Sequence, residues 1–168
     1  MRDPLNAIVE SYGQLEIELQ HRMREACALF CDRCGVRCCR VDFCYESLES
    51  PFLAHVRARF APSAHFDAVV GWLTPAGCGL AAGRPPVCYE FLCRAIMEAQ
   101  PTRQHLAALE NLAMLLTRAG RNALGRRHLV ALEDLNRLNS RRLWNQLMQA
   151  RSVLDELHRA LEAAGRRA

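Results

Sequence analysis

The chain has 168 residues, 51% of them hydrophobic and 24% charged, so it can bury a core without disulfide staples and carries no disordered bias. No apolar run approaches the ~20 residues of a spanning helix, and no basic start leads into an apolar stretch. The expectation is therefore a cytoplasmic protein with no membrane partner. All 22 basic residues are Arg, which reads as the codon bias of a GC-rich bacterial genome, and the formal net charge is +4. Residues 95–168 hold 12 of those Arg against 7 acidic residues, but spread around helices without interleaved aromatics. Nucleic acid is not the expected partner.

The first element is a long helix. Asp3 can cap it and Pro4 suits its first position, where a missing N–H costs nothing. Leu5, Ile8, Tyr12, Leu15 and Leu19 follow at spacings of three and four. The stripe then continues through Met23, Cys27, Cys31, Cys34 and Cys38, so a leucine face slides into a cysteine face. Gly35 is expected to end the helix or start a turn, leaving Cys38 and Cys39 on a loop.

Two short helices are expected next, PFLAHVRARF after Ser50 and AHFDAVVGWL after a Ser63 cap. TPAGCGLAAGRPP, residues 74–86, has three glycines and three prolines and reads as an ordered loop. A helix should restart near Pro86 and run to Ala99. After Pro101 and Thr102 the chain is free of cysteine. Leu106, Leu109, Leu112 and Leu116 make a helical face that Gly120 ends. Beyond Gly125 a last long helix carries Leu143, Leu147, Ala150, Leu154, Leu157 and Leu161 at alternating spacings of four and three.

No run alternates apolar and polar residues in a strand-like way, so the expected fold class is all-α. Residues 1–100 read as a cysteine-rich helical metal-binding domain. Residues 101–168 read as a C-terminal helical extension that packs on the first helix or on a partner, either another protein or a second copy.

Nine cysteines fall between residues 27 and 93. In a reducing compartment such crowding points to metal ligands or reactive thiols rather than disulfides, and the odd count agrees. A CxxC pair lets two sulfurs of one turn meet one ion, and Cys31 with Cys34 supplies it. Cys38 and Cys39 add neighbours, and Cys78, Cys88 and Cys93 make a second group some forty residues on. CALFCDRC has the CxxxCxxC spacing of radical S-adenosylmethionine enzymes, yet the chain has no strands for their barrel.

The run CGLAAGRPPVCYEFLC fits C-x5-R-P-x2-C-x2-F-x-C through Cys78, Arg84, Pro85, Cys88, Phe91 and Cys93. With the upstream CDRCGVRCC it resembles the zinc- or iron-chelating CxxCxxCC domain family, which also contains flagellin N-methylases. The likeness covers roughly residues 27–95. It implies a metal held by Cys31, Cys34, Cys38, Cys39, Cys78, Cys88 and Cys93, with Cys27 or Cys44 as further candidates. His55 and His65 read as helix-surface residues, with a Cys3His site as the alternative. Arg84 either offsets the charge of bound thiolates or holds its loop through a backbone carbonyl.

Zinc, iron and an iron–sulfur cluster all accept four thiolates. The leading reading is a cysteine-ligated metal-binding protein. One alternative, which the resemblance suggests, is an enzyme or accessory factor in protein modification with the metal at its working site. The other is a thiol redox or metal-handling protein. No carboxylate pair, phosphate-cradling glycine loop or GxSxG elbow points to another catalytic chemistry.

Overall fold

A computed structural model describes residues 3–31, 39–75 and 77–165. The expected positions Cys34, Gly35 and Cys38 lie outside these described residues. The described chain is mostly helical: α1 (Pro4–Cys31), α2 (Val41–Glu49), α3 (Pro51–Phe60), α4 (Val87–Glu90), α5 (Arg94–Glu98), α6 (Arg103–Ala113), α7 (Leu115–Ala119) and α8 (Ser140–Gly165). Two 3-10 turns, Leu129–Ala131 and Leu135–Arg137, precede α8. Among the described residues no helix is long and apolar enough to cross a membrane.

Helix α1 starts as its sequence dictates, with the Asp3 carboxylate accepting from the Leu5 N–H at 3.0 Å. Its stripe is the spine of the core. Ile8, Tyr12, Leu15 and Leu19 are each at most 1% exposed. Phe52, Leu53 and Val56 of α3 lie against it, and the Tyr12 and Phe52 rings meet edge to face at 5.1 Å. From the far end of the chain, Leu143, Leu147, Ala150 and Leu154 of α8 join the same core, together with Leu112, Leu115 and Leu116 of α6 and α7. A single buried cluster thus draws on residues from both sides of position 100.

Four local expectations are corrected. Residues 63–72 form turns and irregular backbone rather than a helix: Asp67 and Gly71 exchange backbone hydrogen bonds at 2.8 Å, and the Asp67 carboxylate accepts from the Val69 and Val70 N–H groups. That Asx-type turn competes with helix formation and overrides the apolar periodicity. Inside the expected loop, β1 (Leu73–Thr74) and β2 (Gly77–Cys78) form a two-residue antiparallel ladder, Leu73 opposite Cys78. The helix expected from Pro86 to Ala99 is broken by extended backbone at Phe91 and Cys93, giving α4 and α5. The helix before Gly120 is likewise interrupted, at Met114 between α6 and α7. In addition α2, unmarked by any cap or long stripe in the sequence, occupies residues 41–49.

Candidate metal centre

The turns of residues 61–86 fold back over α2 and leave a cavity of about 120 Å³. Four cysteines line it: Cys39 just before α2, Cys44 on α2, Cys78 at the end of β2 and Cys88 on α4. Three chain segments supply them, so tertiary structure rather than a single CxxC turn creates the grouping. Trp72, Phe43 and Phe91 supply much of the apolar wall, and Arg84 contributes a guanidinium.

Three of these thiols are placed by local contacts. Cys44 follows Arg40 by one helical turn and its sulfur lies 3.6 Å from the Arg40 carbonyl. It sits against Gly71, which has φ +67°; a Cβ there would come within 2.5 Å of the Cys44 sulfur. Cys78 is set by its ladder position opposite Leu73. Cys88 is brought in by the first turn of α4, where its N–H bonds the Pro85 carbonyl at 3.0 Å. Cys88 keeps exposed surface as a residue, while its place in the cavity wall partly removes it from solvent. Burial raises its pKa to about 12; Arg84 pulls it down while the neighbouring Cys44, Cys78 and Cys39 push it up. The thiol is therefore protonated at neutral pH unless a metal ion replaces the proton.

Arg84 holds its loop through a backbone carbonyl, one of its two expected roles, since Nε and Nη2 donate to the Leu80 oxygen at 3.1 and 2.8 Å. The Gln20 amide is best oriented with its oxygen toward the guanidinium, where it accepts at 2.8 to 3.2 Å. Burial alone would lower the Arg84 pKa, yet Tyr89, Cys78, Glu16 and Cys88 as anions hold it above the ordinary value.

The other described cysteines, Cys27, Cys31 and Cys93, do not line the cavity. Cys27 is 8% exposed and shares a small apolar cluster with Ile96, Leu109, Leu92 and Cys93. Burial, then the proximity of Cys31 and Cys93, raises its pKa to about 11. Cys31 and Cys93 thus stand with Cys27, at the end of α1 and the start of α5, and not in the cavity. His55 lines a different groove, between α1 and α3, with Glu10 and Arg59. His65 is not among the cavity-lining residues.

Among the described residues no three His, Cys, Asp or Glu side chains are gathered tightly enough to hold an ion as they stand. Among the described residues the cavity nevertheless offers four thiols and no carboxylate, a donor set that fits a soft or borderline metal.

Cys44 entered the sequence reading only as a further candidate, since its neighbours DF and YES carry no ligand spacing. Glu16 was not marked at all, although it follows Tyr12 by one helical turn and flanks the apolar stripe, a position where a charge calls for a partner. Comparison with family models, curated proteins and solved structures gives no match for this chain.

Proposed function

We propose that this chain is a cysteine-ligated metal-binding protein whose donor set is Cys39, Cys44, Cys78 and Cys88, with zinc, iron or an iron–sulfur cluster as the bound group. The observation that carries this reading is the meeting of four thiols from three chain segments in one cavity beside a buried arginine. Four thiolates are the complement of a closed zinc site and of an iron–sulfur cluster. The resemblance to the CxxCxxCC family supports the same chemistry through Cys39, Cys78, Cys88 and Arg84. Trp144 and Met148, one turn apart on α8 and 41% and 37% exposed, are the apolar surface through which a protein partner or a second copy would meet the C-terminal helices.

The test is metal and sulfide analysis of protein purified without oxygen, with its visible spectrum, alongside C44S and C88S. Stoichiometric zinc or iron in the parent, reduced in both variants, is expected. Metal-free protein whose native thiols all alkylate and which takes up neither added Zn²⁺ nor Fe²⁺ would overturn the reading.

A further inference from the structure

Glu16 is fully buried, at 0% exposure, in the middle of α1. A carboxylate in such a place is costly unless donors surround it. Three do: the Gly83 N–H at 2.7 Å, the Arg84 N–H at 2.9 Å and the Tyr89 hydroxyl at 2.9 Å. All three belong to the segment that joins Cys78 to Cys88 or directly follows it. Glu16 therefore pins the thiol-bearing loop to the core helix at its midpoint and at its far end.

The same peptide reaches the other side of the cavity. The Gly83 carbonyl accepts from the Ser47 hydroxyl at 2.6 Å, and Ser47 is fully buried on the helix that carries Cys44. Arg57 of α3 donates to Ser47 in turn. Gly83 has φ +92°, and a Cβ there would come within 3.1 Å of the Arg57 nitrogen, so the loop is threaded closely between α1 and α3. Beside it, the Arg84 side chain spends its hydrogen bonds on neutral oxygens, those of Leu80 and Gln20. Arg84 also lies on the cavity wall with Cys78 and Cys88, and its charge acts on both thiols as well as on Tyr89 and Glu16.

We infer that Glu16 is a positioning residue of the thiol cavity, fixing the Gly83–Arg84 peptide so that the Arg84 guanidinium offsets the negative charge of a thiolate-bound metal. The inference rests on the metal-binding reading above, and adds that the affinity of the site is set from α1, outside the cysteine set.

The test uses the full chain and Zn²⁺, with affinity read by competition against a chromophoric chelator at pH 8 and folding checked by circular dichroism. E16Q is expected to weaken zinc binding about tenfold to a hundredfold, the range for partners behind a metal's ligands, and R84Q by a similar factor. Because Glu16 acts through Arg84, the double variant should be no weaker than the weaker single one. R84K, which keeps the charge, should recover part of the loss. Unchanged affinity in folded E16Q, or two effects that multiply in the double variant, would overturn the inference. Should E16Q not fold, amide hydrogen exchange on the parent decides: strong protection of the Gly83 and Arg84 amides is expected, and exchange as fast as in exposed turns would refute the pinning. A parent that binds no metal defeats the functional reading instead, while the exchange result still judges the role of Glu16.

Discussion

At Gly71 the backbone has φ +67° and the neighbouring space is taken by the Cys44 sulfur, so two independent constraints fall on one residue. Substitution G71A is expected to cost about 1–3 kcal/mol for the strained backbone and to displace the Cys44 thiol. Denaturant unfolding measures the first and zinc competition the second; a variant with parental stability would show the turn to be pliable. Glu16 gives a pH dependence whose sign is fixed. Burial raises its pKa from 4.5 to about 7, against the hydrogen bonds from Gly83, Arg84 and Tyr89 that lower it. The folded state thus keeps a proton that the unfolded chain has lost. Its contribution to stability is present below about pH 4.5 and is lost as the pH rises through about 7. E16Q should flatten that fall, by about 1.4 kcal/mol for each unit of separation between the two pKa values, in denaturant melts at pH 5 and pH 8. Neither Gly71 nor Glu16 could be read from the sequence. A glycine's φ and a buried acid's donors are set by segments up to 73 residues away, as the bond between Glu16 and Tyr89 shows.

Among the elements, those governed by local signals match expectation. Ser50 followed by Pro51 gives α3 its start, the Ser50 hydroxyl accepting from the Leu53 N–H at 3.2 Å. Replacing Ser50 with Ala should cost about 1 kcal/mol of stability, measured by thermal unfolding. A loss below a few tenths would show that the proline alone fixes the helix start. The stripes of α1 and α8 were legible for the same reason, because burial of one helical face is written at spacings of three and four. What failed was the stretch from Ser63 to Ala99. There Asp67 bonds its own following N–H groups, and Gly71 and Gly77 take positive φ, so short-range hydrogen bonds beat apolar periodicity. The cavity is built in part from that stretch, which explains why the cysteines were legible as clusters while their partition was not. Cys93 reads in sequence as one group with Cys88, yet the extended residues between α4 and α5 carry it to the cluster of Cys27.

For the whole molecule, a metal bound only by the folded state adds to stability by mass action, about 2.7 kcal/mol when free metal is a hundred times the dissociation constant. Chelation should therefore lower the thermal midpoint of the loaded protein, and acidification should do the same. Each thiol proton that zinc displaces below its pKa makes apparent affinity fall about tenfold per pH unit, and Cys88, raised to about 12, is such a thiol throughout the usable range. A midpoint indifferent to chelator would mean that the metal, where present, is not coupled to the fold.

The pairing of α1 with α8 also sets an order in time. Leu15 and Leu19 find Leu143, Leu147 and Leu154 only when more than a hundred further residues have been made, whereas every cysteine lies at or before position 93. On a chain growing at about 5–20 residues per second, the thiols emerge seconds before the helix that closes the core beneath them. During that interval the cysteine segment is tethered to a half-built scaffold, open to metal, to oxidant and to other nascent chains alike.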